Sequence, residues 1–228
     1  MGSELPSGLP LLRLMHLVSP TLPIGAFTYS QGMEWAVEAG WVRNEAGLED
    51  WLLGQMEQGL AAVDLPLLLR LHRAALERDL AGFTAWANYL IACRETDELR
   101  TEERQRGKAL AILLPTLGIA PDAGWIEAAG RCQAAGFALA AVAWAIPADQ
   151  AALGYAWGWL ENQVLAGVKL IPLGQTAGQR VLHRTTPHLT ALAEQAMAVQ
   201  DADLGGSLPA LAIASSLHEG QYTRLFRS

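Results

Sequence analysis

Lysine is almost missing from this 228-residue sequence: Lys108 and Lys169 are the only two. The remaining cations are arginines, the side chain suited to bidentate and interface contacts. The formal net charge of −7 argues against nucleic-acid binding, which needs clustered cations to neutralise phosphates. Cysteine is equally scarce, since Cys93 and Cys132 stand alone without a CxxC spacing. No disulfide framework is expected, and a reduced, cytosolic setting is the simple expectation. Charged residues reach only 17% against 51% hydrophobic, which excludes disorder over most of the length. No signal peptide is read at the start. The apolar stretch 133–148 is interrupted by Pro147 and is shorter than the ~20 residues of a membrane span, so it reads as a buried helix.

Alternating strand patterns are also lacking, and helical periodicity fills the gap. The expected fold class is therefore all-α: a single domain of roughly eight to ten packed helices. Residues 1–10 read as a loop-like N-terminus, 11–200 as the helical body, and 201–228 as a linker and C-terminal tail. Thr28 followed by Gln31 has capping-box spacing, and Gly40 suits a left-handed helix end. Leu48, Leu52, Gln55, Met56 and Leu60 mark one helical face. Asp64 and Pro66 suit the first turn of the next helix, and Thr96 can cap another that reaches Leu114. Pro172 breaks a long run, after which a short helix over about 175–183 and a separate long one from Thr186-Pro187 are expected.

Signatures of chemistry are mostly absent as well. Neither GxxxxGK[ST] nor GxGxxG occurs, so nucleotide binding by this chain alone is not expected. Residues 28–32, TYSQG, approach a GxSxG nucleophile elbow, but Thr28 replaces the first glycine and no strand precedes it. An all-α hydrolase using Ser30 with a histidine is the alternative reading. His218-Glu219 begins like HExxH, yet Tyr222 stands at the last position. His16, His72, His183 and His188 are scattered and form no metal-ligand spacing.

Three stretches carry polar residues where a core helix does not want them. RETDELRTEERQRGKAL surrounds one half-helix with charge, and Leu99 is its single large apolar residue before Leu110. It is either a solvated face laced by ion pairs such as Glu102–Arg106, or a helix held by its neighbours or a partner. GVKLIPLGQTAGQR sets Lys169 before the Pro172 break and spaces Gln175 and Gln179 four apart. Those glutamines either tie off carbonyls at the broken helix end or line a wet passage or a dimer seam. SLHEGQYTRLFRS interleaves Tyr222, Leu225 and Phe226 with Arg224 and Arg227, the mixture of an interface anchor.

Together with SPTLPIGAFTYSQGMEWAVEAGWV, these stretches resemble the UreF family of urease accessory proteins, in order and along nearly the whole chain. The resemblance implies a homodimer without a catalytic site or a directly bound cofactor. Its implied partners are UreD (UreH in some systems), the GTPase UreG and apo-urease. Nickel and GTP are handled by those partners during nickel delivery and carbamylation of the urease lysine. No membrane or nucleic acid is implied. Carried over by position, the partner-binding residues are Tyr29, Ser30 and Glu34; Glu95, Glu98, Arg100 and Glu103; Lys169, Pro172, Gln175 and Gln179; and His218, Glu219, Gln221, Tyr222, Arg224 and Phe226. The terminal segment is expected to be mobile alone and to order when UreD binds. Its alternative is packing of Leu225 and Phe226 on the chain's own helices. A polar docking surface for UreG is expected around Glu34, Arg100 or Lys169.

Overall fold

A computed structural model describes residues 8–228, so the first seven residues of the expected N-terminal loop lie outside it. Among the described residues the chain is all-α, as the periodicity implies, with no strand. From Leu9 onward the sequence is already helical: α1 covers Leu9–Leu17 and α2 Met33–Glu38. α3 (Glu45–Gln55) continues through a π-helical stretch, Met56–Asp64, into α4 (Leu65–Leu76). α5 spans Leu80–Ala92, α6 Asp97–Leu113, α7 Ala123–Ala129, α8 Gln133–Ala143 and α9 Ala148–Leu170. α10 is Gln175–Ala198 and α11 Pro209–His218. None of these helices is long and apolar enough to cross a membrane.

The caps explain where several helices start. Asn44, Asp79 and Thr96 each accept a backbone N–H from the first turn of α3, α5 and α6, satisfying a donor that the helix itself leaves orphaned. Gly40 adopts φ +72 after α2, the left-handed closure expected of it. α4 and the apolar α8 pack together at the centre, flanked by α9, α6 and α5. Their core includes Leu65, Leu68, Leu71, Phe83, Leu110 and Phe137, all buried.

Four expectations need correction. Thr28 and Gln31 form no capping box, because Thr28 lies in a 3-10 turn and donates its hydroxyl to Gly25 O at 2.8 Å. α2 instead begins after Gly32, whose φ of +76 redirects the chain. Asp64 and Pro66 do stand at the start of α4, but no break separates it from α3. The π stretch absorbs the missing proline N–H by shifting to i→i+5 bonding, with Leu65 N donating to Leu60 O. Pro187 lies inside α10 rather than starting a new helix. The Thr185 and Thr186 hydroxyls bond the carbonyls of Val181 and Leu182, and Pro187 and His183, whose carbonyl loses its helical donor to the proline, both face solvent.

The DADLGGS stretch is the fourth. It is packed rather than free-running: Gly205 N donates to Ala62 O at 3.3 Å, the carbonyl that Pro66 cannot serve. A Cβ on Gly206 would stand 2.1 Å from Gln58 O, so only glycine fits against the π stretch. The segment that leads to α11 is thereby fixed to the body.

Candidate functional site

The inward face of α6 is written in its spacing. Leu99, Glu103, Arg106 and Leu110 recur at i, i+4, i+7 and i+11, with Glu102 beside them, and all five are buried. Three charges sit where a core helix normally carries leucine. They fit because the neighbouring backbone approaches closely at Gly107, where a Cβ would meet Cys132 N at 2.7 Å.

Each buried charge is partnered. Glu103 Oε1 accepts from Arg94 Nη2 at 2.6 Å, and its Oε2 accepts from Gln133 N at 3.3 Å, at the positive start of α8. Arg94 also donates to Asp64. Burial pushes the Asp64 carboxyl up, opposing the downward pull of Arg94. Burial likewise works against the Arg94 charge, but Asp64 and Glu103 outweigh it and push its pKa higher. Glu102 accepts from Arg106 at 2.7 Å and from Gln31 Nε2 at 3.0 Å, while Gln31 Oε1 accepts from Trp159 Nε1 at 2.9 Å. Burial raises Glu102 too, with Arg106 pulling down. The half-helix is thus held by its own neighbours, not by a solvated lattice of pairs. A cavity of about 60 Å³ runs alongside, lined by Gln31, Gln55, Asp64, Arg94 and Arg106 among others; it is polar and roomy enough for water.

The C-terminal segment closes over this network. Thr96 and Ser215 hydroxyls meet at 2.8 Å, seating α11 against α6. His218 is 0% exposed and lies between two carboxylates, with Nδ1 2.9 Å from Glu98 Oε2 and Nε2 3.2 Å from Glu34 Oε2. Both ring nitrogens thus face carboxylate oxygens. Glu34 then accepts the backbone N–H groups of Leu225 and Phe226 at 2.6 and 2.8 Å. Ser30 contributes both its backbone N–H and its hydroxyl to Ser228 O, at 2.7 and 2.6 Å. Arg227 N donates to Thr28 O at 2.9 Å, and Ser228 Oγ donates to Glu102 at 3.2 Å. Phe226 is buried with Lys169 Nζ 5.8 Å from its ring centroid.

The structure has the terminal segment in the second of its two expected arrangements, on the chain's own helices. Phe226 packs on the chain's own helices, and Glu34 and Ser30 supply the acceptors and donors that would otherwise be sought elsewhere. Leu225 points outward at 67% exposed and Tyr222 at 104%. Arg224 is half-exposed and donates to Glu98 at 3.1 Å, and Gln221 donates to Glu38.

Three of the four quoted stretches converge here. Tyr29 donates to Gln105 Oε1 at 2.6 Å on α6, while Ser30 and Glu34 hold the tail. From α6, Glu98 and Glu103 are buried or nearly so and Arg100 is half-buried, while Glu95, just before the α6 cap, accepts from Ser207 at 3.0 Å. The fourth stretch joins only through Lys169. Pro172, Gln175 and Gln179 are exposed at the α9–α10 turn, and so is Glu219 after α11; the buried glutamines are Gln55 and Gln163 instead. Glu34 is buried and drops out of any exposed docking surface. Asp64 and Arg94 were not among the residues expected at the site; both lie outside α6, whereas Arg106 falls on the Leu99–Leu110 stripe and was already flagged by its pairing with Glu102.

The hydrolase alternative fails on geometry. Ser30 is 0% exposed and its hydroxyl proton is donated to a backbone oxygen, while His218 is committed to Glu34 and Glu98. No nucleophile–base pair is left at this site. Among the described residues no group of three or more His, Cys, Asp or Glu is arranged to hold a metal.

A family model described as UreF matches residues 42–186, well over half of the chain. The chain belongs to the UreF family. It is 52% identical over 225 residues to the urease accessory protein UreF of Alcanivorax borkumensis, covering 95% of this chain and 97% of that one. It is 50% identical to the protein of the same name from Alkalilimnicola ehrlichii over the whole of both chains. Its identity to the Klebsiella pneumoniae UreF is 48% over 217 residues, 95% of this chain and 97% of that one. The 42–186 family match spans α3 to the middle of α10. Both halves of the tail clasp fall outside it, whereas the full-length relatives extend through them.

Proposed function

We propose that this chain is a urease maturation factor that works by contact alone: a cytoplasmic, non-enzymatic adaptor that joins UreD and the GTPase UreG on apo-urease. The observation that carries this reading is the clasped tail. Its backbone is locked to Ser30, Thr28 and Glu34, so Tyr222, Arg224 and Leu225 are presented on a rigid base. Preorganised aromatic and arginine anchors lose little entropy on binding, which is what a docking hot spot requires. We assign UreD to this face. Half-buried Arg100 and exposed Lys169 are assigned to the UreG side of the assembly, which regulates GTP hydrolysis. Nickel is cargo that travels with the partners. Leu11, Leu12 and Met15, which α1 leaves exposed, form the apolar face available to a second copy in a homodimer.

The decisive experiment is co-purification with UreD and UreG followed by nickel-dependent activation of apo-urease. Tyr222→Ala combined with Leu225→Asp should lose UreD and urease activation with unchanged helical circular dichroism. Full UreD binding by that variant would overturn the assignment of this face. Normal urease maturation in cells without the chain would overturn the function itself.

A further inference from the structure

A second surface lies further along α6, with no residue of the tail among its lining. α5, α6 and α7 enclose a groove of about 770 Å³. Ile91, Ile112 and Ile126 line it together with Arg104 and Lys108. Ile112 is 78% exposed, more than any other large aliphatic side chain among the described residues. Apolar side chains left open to solvent beside cations present a surface that a partner can cover.

The charge pattern identifies the occupant. Arg131 is tied to Glu127 at 3.0 Å and to Asn88 at 2.9 Å. Arg104 and Lys108, by contrast, enter no ion pair among the described residues. They sit four apart, on one face of α6. In a chain of net charge −7 with two lysines, this is a local reversal of sign beside apolar side chains. From Arg104 to Ile112 the α6 wall runs about 12 Å at ~1.5 Å per residue, a little over two helical turns. That length accepts apolar anchors at i, i+4 and i+7 of a helix laid along it. Two cations on an otherwise acidic molecule suit a few carboxylates rather than an anionic membrane, which would repel the whole chain.

We propose that the α5–α6–α7 groove docks an acidic amphipathic helix of a partner protein. Ile112 and its neighbours receive the apolar face, and Arg104 and Lys108 pair with carboxylates one turn apart on the flank. This surface is distinct from the tail face, and its test involves no urease component.

The test uses the full chain and a fluorescein-labelled, 15-residue helical peptide with leucines at i, i+4 and i+7 flanked by glutamates. A counterpart carries glutamine at each glutamate. Anisotropy at low salt should show the glutamate peptide binding, with the glutamine counterpart about tenfold weaker. Ile112→Asp, and Arg104→Glu with Lys108→Glu, should abolish binding. Ile213→Asp, exposed on α11, should leave it intact, and all variants should retain helical circular dichroism because the altered side chains are exposed. Equal binding of both peptides, binding of neither, or binding that survives Ile112→Asp would overturn the proposal. So would phosphatidylglycerol vesicles binding in an Ile112-dependent way, or light scattering that shows Ile112→Asp dissociating a dimer through this face.

Discussion

Replacing Glu34 by alanine should release the C-terminal residues while leaving the helical body standing. The carboxylate accepts two backbone N–H groups, from Leu225 at 2.6 Å and Phe226 at 2.8 Å, and faces His218 Nε2 at 3.2 Å. Alanine orphans both amides, and a buried donor without a partner costs about 1–3 kcal/mol. Taking roughly 3 kcal/mol for the pair, the closed segment is disfavoured on the order of 100-fold. The Phe226 ring, whose burial contributes about 1.5–3 kcal/mol, is then the main remaining hold. Hydrogen exchange read by mass spectrometry should show the peptide over 221–228 exchanging about 100-fold faster, with trypsin cutting sooner at Arg224 and Arg227. The melting transition of the body should move little, since the substituted side chain touches α11 and the last residues rather than the α4–α8 centre. Tail amides as protected in Glu34→Ala as in the parent chain would refute this account. Intrinsic-rate exchange of those amides in the parent chain would refute it equally.

Arg94→Met should destabilise by about 3–5 kcal/mol in urea unfolding, because it leaves Asp64 and Glu103 buried without their cation; adding Asp64→Leu and Glu103→Leu should recover much of that loss. Gly107→Ala should cost about 1–3 kcal/mol by thermal or chemical denaturation, since the new methyl meets the Cys132 backbone, which cannot swing aside as a flexible side chain can. Arg180 and Arg184 hold the Glu45 carboxyl down at about 2, below its unfolded value. Its contribution is therefore complete above the ordinary carboxylate range and disappears as pH falls toward 2. Melting temperature measured against pH should lose part of its acid-side slope in Glu45→Gln, and an unchanged slope would contradict the pairing.

How much of this was legible beforehand depends on whether the deciding physics is local. Thr96 caps α6 through an atom three residues from its partner, and Gly40 ends α2 with its own dihedral, so both follow from short-range chemistry. Pro187 misleads for the opposite reason: its outcome depends on which side of α10 faces water and on two neighbouring hydroxyls. The π stretch before Pro66 is equally opaque, because the carbonyl it frees is taken by Gly205, far along the chain. At the site, composition flagged Glu102, Glu103 and Arg106 as anomalous. Their burial follows only once Arg94, Asp64 and the start of α8 are seen around them. In the tail, the same Tyr, Phe and Arg mixture describes a segment held by its own body and one held by another molecule.

The clasp at Ser30, Thr28 and Glu34 grips mostly amides and carbonyls of residues 225–228, not their side chains. Spelling in that stretch is therefore forgiving apart from Phe226, whereas length is not. One residue added between His218 and Leu225 would slide every amide past its acceptor and turn Phe226 outward, a frame error that substitution could not mend.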